Sequence, residues 1–178
     1  MTISSYFENF PMTSGLLIIN FLLFILNHLG FAEYTISYPQ IISSGTFLAH
    51  FSHVQILHLI MNMVILYRMG PLLETHLHPD GMLNLFLGLW FGLVIFLYFF
   101  QTTPLLGFSG IIMGFLSFLM LLSRRMNREF SQSILIMLIL NILIGLMPGI
   151  SFMGHFGGAI VGVILFLIYR IASPRSFL

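Results

Sequence analysis

Gly107-Phe108-Ser109-Gly110 opens an apolar run that carries no charge from Leu105 to Ser123. A serine between glycines costs little in a loop. At the head of an uncharged helix it needs a reason. Two other apolar segments carry polar groups at matching places: His155 near the start of the last, and His58 with Asn62 inside an earlier one. Polar groups inside a membrane span are expensive, and they face one another or a water-filled cavity. A serine, a histidine and further hydrogen-bond donors are the components of acyl transfer: nucleophile, base and a cradle for the oxyanion.

Composition sets the solvent. The chain has 178 residues, of which 58% are hydrophobic and 6% charged, and its mean hydropathy is +1.05. A water-soluble domain carries about a quarter of its residues as charges, so the surroundings of this chain are lipid. Cys is absent, which excludes a disulfide framework, a thiolate nucleophile and a Cys-ligated metal. The basic residues are all Arg, and the net charge is +1. Nothing in that distribution makes a nucleic-acid surface. One membrane domain is expected over 1–178, with its core at about 14–171.

Six spans are expected, at about Ser14–Leu29, Gln55–Leu73, Met82–Phe100, Ser109–Ser123, Ser131–Met147 and Phe152–Ile171. Each approaches the length of a bilayer core. None alternates polar and apolar residues as barrel strands do. The fold class is therefore an all-α polytopic membrane protein. The seven prolines are expected at or outside span ends, where a missing N–H does least harm. Residues 30–54 read as an interfacial loop, and Glu74–Gly81 as a polar turn. A cleaved signal peptide is the bland reading of the first span. It would want a basic leader and a small-residue cleavage site, and Met1–Met12 holds neither Lys nor Arg.

The arginines orient the chain. Arg68 falls late in span two; Arg124, Arg125 and Arg128 follow span four; Arg170 and Arg175 end span six. With six spans all of them lie on one side, which the positive-inside rule makes cytoplasmic. Both termini are then cytoplasmic. Ser109 lies 15 residues before Arg124, and His155 lies 15 before Arg170. At 1.5 Å per residue both stand about 22 Å above the cytoplasmic arginines, level with each other and toward the outer face.

Gly110 and Gly114 on span four, and Gly154, Gly158 and Gly162 on span six, are spaced four apart. Small residues at that spacing let helix backbones approach closely. Alone this is ordinary packing. Here each ridge borders a reactive residue. His58 and Asn62, four apart, share one helix face and suit donation to an oxyanion; the bland reading is a buried pair bonded to nearby backbone. His50 and His53 have metal-ligand spacing, but no carboxylate completes a site. An ordinary polar role is expected for them, and solvated positions for His76 and His78.

These residues carry a resemblance. Gly107-Phe108-Ser109-Gly110 resembles the GxSG motif of the rhomboid intramembrane serine proteases. His53, four residues, His58-Leu59, then Asn62-Met63 is similar to the family's H-x4-H-L-x2-N-M. Gly70 with Glu74 resembles its G-x3-E, and His155-Phe156-Gly157-Gly158 with Gly162 its H-x-G-G-x3-G. The resemblance runs from about Thr46 to Arg170, each motif in the expected span. It implies a six-helix rhomboid-like bundle and a Ser–His dyad without a third acid: Ser109 as nucleophile and His155 as base. His58, Asn62 and the backbone N–H of Ser109 would form the oxyanion cradle. Its substrates would be transmembrane helices of other proteins, cut near the outer end in the lipid bilayer, with no cofactor and no metal.

Access beside span five is expected, with Pro148-Gly149 as hinge. Two departures stand out. The loop after span one reads Ile42-Ser43-Ser44-Gly45-Thr46 where the family often has Trp-Arg, and Met113 stands where an aromatic often stacks on the histidine. The alternative is a catalytically inactive rhomboid-like binding or quality-control module, although such relatives usually lack the serine or the histidine. A transporter would show repeats or mid-membrane charges. An aspartyl protease would need two Asp, and only Asp80 is present. A bacterial plasma membrane is the expected location.

Overall fold

The computed structural model describes residues 2–30, 48–101, 105–124, 126–147 and 149–172. The stretch Ile42–Thr46, most of the expected interfacial loop, Pro148, Arg125 and Arg175 lie outside the described residues. The chain forms helices α1 (Ile3–Asn9), α2 (Pro11–His28), α3 (Ile56–Phe100), α4 (Ser109–Ser123), α5 (Arg128–Ile144) and α6 (Phe152–Ala172).

The boundaries have local causes. Thr2 caps α1 by accepting from the Ser5 N–H. Pro11 opens α2 at the one helical turn where its missing N–H is harmless. The Asn127 side chain accepts from the Phe130 N–H at 2.9 Å and starts α5. Ser151 does the same ahead of α6, where its Oγ accepts from the Gly154 N–H at 3.0 Å.

The stretches expected as spans two and three are the two arms of α3. The polar turn expected over Glu74–Gly81 is mostly helical; the chain reverses at one residue, His78, with φ 59 and ψ 167. Pro71 departs from expectation too. It sits inside the first arm, and the helix continues past it. Each arm of about 22 residues is long enough for a bilayer core. Among the described residues, three helices qualify by length and hydropathy to cross a membrane: Pro11–His28, Ile56–Phe100 and Phe152–Ala172. Ser109–Ser123 is apolar but shorter.

Burial is arranged for lipid. The central element is α4, in which every residue from Gly110 to Leu119 is buried. A helix apolar all round belongs in the middle of a bundle. The surrounding helices turn Ile18, Leu22, Ile60, Val64, Ile136 and Ile168 outward, an apolar exterior that water would not tolerate.

Candidate active site

The site begins with how α4 and α6 meet. A Cβ on Gly158 would run into the carbonyl oxygen of Gly110, and one on Gly162 into that of Gly114. The two contacts keep the same register, so the helices run parallel with their backbones touching. Ser109, first residue of α4, and His155, fourth of α6, therefore stand at the same level. The second arm of α3 closes the back, where Leu89 and Leu93 fill the space beside Gly114 and Gly110.

Phe108 holds the serine loop in place. It is fully buried and packs on Phe51 and Phe86, with ring centroids 5.3 and 6.4 Å away. The Gly107 N–H donates to the Ala49 carbonyl at 2.9 Å. Gly107 has φ +116, a conformation that favours glycine, and the His58 ring lies over it: a Cβ there would sit 2.8 Å from His58 Cε1. Ser109 is half-buried at the helix start, where free N–H groups and the helix dipole favour negative charge. Its hydroxyl makes no hydrogen bond among the described residues.

His155 is buried and oriented from a third helix. Its Nδ1 donates to the Asn141 carbonyl on α5 at 2.7 Å. That bond leaves Nε2 with its lone pair. No acid takes part. The Ser151 carbonyl accepts from the His155 N–H at 3.1 Å, and the Ser151 hydroxyl reaches Gln101 Oε1 at 3.2 Å.

A cavity of about 30 Å3 opens onto Ser109, His58, His50, Gly107, Ser151 and Gly154. This is room for about one water molecule. His50 is buried, and neither of its ring nitrogens has a partner among the described residues. Among the described residues no group of His, Asp and Glu could hold a metal ion.

The family model described as the Rhomboid domain matches residues 42–172. The chain belongs to the rhomboid family. No curated protein matches it.

In this rhomboid, Ser109, His58, Gly107 and Gly110 come together at one cavity. Gly158 and Gly162 make the helix contact that sets their level. Asn62 is placed differently. Its Nδ2 donates to His53 Nε2 at 2.8 Å, and it, like His155, is absent from the wall of the cavity beside Ser109. Glu74 and Gly70 lie at the opposite end of the bundle. The Glu74 carboxylate accepts from the Met12 N–H at 2.8 Å, and from the Thr13 N–H and hydroxyl at 2.8 and 2.7 Å. Gly70 makes room for the Thr13 side chain. Met113 is buried core.

His53 is the residue that sequence reasoning undervalued. It is buried, it accepts from Asn62, its Nδ1 donates to the Phe51 carbonyl at 3.1 Å, and the Phe108 N–H points at its Nε2 from 3.5 Å. Its ring meets His58 edge to face at 5.0 Å. Burial first, and His58 second, push its pKa down to about 4, against an upward pull from Phe51. The neutral imidazole thus joins Asn62, His58 and the loop before Ser109. The Asn141 carbonyl was also unforeseen, and a main-chain acceptor leaves no mark in a sequence. Ser151 did leave one: a serine just before an apolar run is an N-cap pattern.

Proposed function

We propose that this rhomboid is an intramembrane serine endopeptidase that cleaves transmembrane helices of other proteins near their outer end. Ser109 Oγ attacks the scissile carbonyl while His155 Nε2 takes its proton. The backbone N–H of Ser109 and the His58 side chain hold the oxyanion, and Asn62 assists through its second amide proton. His155 then protonates the leaving amine. Water, deprotonated by the same nitrogen, opens the acyl-enzyme through a second tetrahedral intermediate. The new carboxylate leaves, and the proton returns to Ser109.

One observation carries this reading: the α4–α6 glycine contact, which levels Ser109 with a histidine whose Nδ1 is already occupied by the Asn141 carbonyl. A general base needs its other nitrogen fixed in the donor tautomer, and a backbone carbonyl does this without an acid. The resting hydroxyl of Ser109 does not oppose it, because such bonds often form only once substrate binds.

Six spans with both termini cytoplasmic complete the reading, in a bacterial plasma membrane. The arginine distribution supports that orientation. Substrate approaches beside α5, which packs on α4 and α6. It must unwind locally, because helical carbonyls are engaged in the i→i−4 ladder.

The test is covalent labelling of the purified protein by a fluorophosphonate, comparing wild type with Ser109→Ala and His155→Ala. Labelling of wild type alone supports the dyad. Labelling that survives in Ser109→Ala would overturn the assignment. Absence of labelling in wild type, together with no peptide cleavage in liposomes, would mean an inactive relative.

A further inference from the structure

The larger cavity lies away from Ser109. About 530 Å3 opens between α2 and the first arm of α3, walled by Leu17, Phe21, Ile25 on one side and Ile60, Val64, Tyr67 on the other. Most of these side chains are also exposed on the exterior, so the groove faces lipid. At roughly 30 Å3 for a group the size of a water molecule or methylene, the space suits a single acyl chain and is too small for a helix. A helix would also find no footing. Helices associate in lipid through small residues, and no Gly, Ala or Ser lines this groove.

One end of the groove is built differently. The Tyr6 hydroxyl donates to the Tyr67 carbonyl at 2.9 Å, and the two rings stack with centroids 4.6 Å apart. Tyr6 lies in the helix before α2, so the pair marks the end of the groove toward the start of α2. The long stem of an arginine in the same arm as Tyr67 lets its guanidinium reach the headgroups from within the span. Ile60, Val64 and Arg68 are four apart and share one helix face. The first two wall the groove, and Arg68 continues the same stripe beyond Tyr67. Arg68 is exposed and forms no ion pair with a described carboxylate. An apolar slot that ends in two tyrosines and an unpaired guanidinium matches a lipid with an acyl chain and a negative headgroup.

We propose that this groove binds one anionic phospholipid, its acyl chain along α2 and α3 and its phosphate on Arg68. The site is separate from the proposed catalysis and stands whether or not the chain cleaves anything.

The test is native mass spectrometry of delipidated protein titrated with phosphatidylglycerol or phosphatidylcholine of identical chains. Wild type is expected to bind one phosphatidylglycerol, about fivefold more tightly than phosphatidylcholine, the scale of one arginine at a charged interface. Arg68→Gln should bring the two lipids to parity. Ile60→Trp, which fills the slot, should weaken both. Arg170→Gln, in the last turn of α6, should change neither. Equal binding by wild type, a preference that survives Arg68→Gln, or undiminished binding in Ile60→Trp would each overturn the proposal. So would a dimer that Ile60→Trp abolishes while no lipid binds. The measurement has no proteolytic step, so it is decided independently of the protease reading.

Discussion

The carbonyl oxygen of Gly110 occupies the space where any side chain on Gly158 would have to begin. The contact is backbone on backbone, so no rotamer can relieve it. A methyl group at 158 must push α6 away from α4. Gly158→Ala should lower stability by about 1–3 kcal/mol, the usual cost of overpacking. It should reduce fluorophosphonate labelling of Ser109 more than stability alone explains, because the proposed dyad spans that interface. Gly15→Ala, where a Cβ meets nothing within 4 Å, is the control and should leave both unchanged. Thermal melts and labelling rates on the two variants check this.

That interface was readable in the sequence, because glycines four apart on two apolar runs have few other uses, and the arginines gave both runs one depth scale. The Ser109 motif and His155 stood out for the same reason: a polar residue is conspicuous in an apolar helix. Other parts did not. The bond from His155 to the Asn141 carbonyl involves main chain, which every residue type carries. The reversal at His78 is one residue long, where polar composition suggested a wider turn. Glu74 looked like a turn residue, although it reaches α2 some 61 positions earlier. His53 lay inside the second-span motif, but only its contacts with Asn62, His58 and Phe108 give it a task.

Gly107 should tolerate no side chain. Its φ of +116 strains any other residue, and a Cβ would meet the His58 ring. Gly107→Ala should therefore displace His58 from the loop that carries Ser109. Loss of one oxyanion donor costs roughly 10²–10³ in turnover, and a fall of that order in kcat is expected with little change in KM. If His58 holds the oxyanion, Gly107→Ala added to His58→Ala should cost far less than it does in wild type. A double-mutant cycle on peptide cleavage reads this. Independent, additive losses would count against the role of His58.

Acid should loosen the end of the bundle that holds His50 and His53. Burial lowers the pKa of His50 to about 4 from 6.5, and His53 is lowered to about 4 as well. Between those values the unfolded chain takes up protons that the folded chain refuses. Stability is therefore full above about pH 6.5 and declines as pH falls toward 4. The melting temperature should drop over that window. His50→Leu removes one titrating group that has no hydrogen bonds to lose, and it should flatten the decline. A wild-type melting temperature that does not change between pH 7 and 4.5 would contradict this.

Glu74 should matter for stability and little for chemistry, since it lies at the far end from Ser109. Its two oxygens accept three hydrogen bonds from Met12 and Thr13, at the first turn of α2. Those N–H groups have no helical partner, and the helix dipole adds to their pull on a carboxylate. Glu74→Gln turns one acceptor into a donor facing an N–H, and should cost about 1–3 kcal/mol. Glu74→Ala leaves all three donors buried without a partner and should cost more. Thr13→Val removes only the hydroxyl bond and should be the mildest. The order Ala, Gln, then Val in lost melting temperature, with labelling of Ser109 retained at low temperature in all three, is the expected result. Loss of labelling in a folded Glu74→Gln variant would mean that the α2 anchor also shapes the active site.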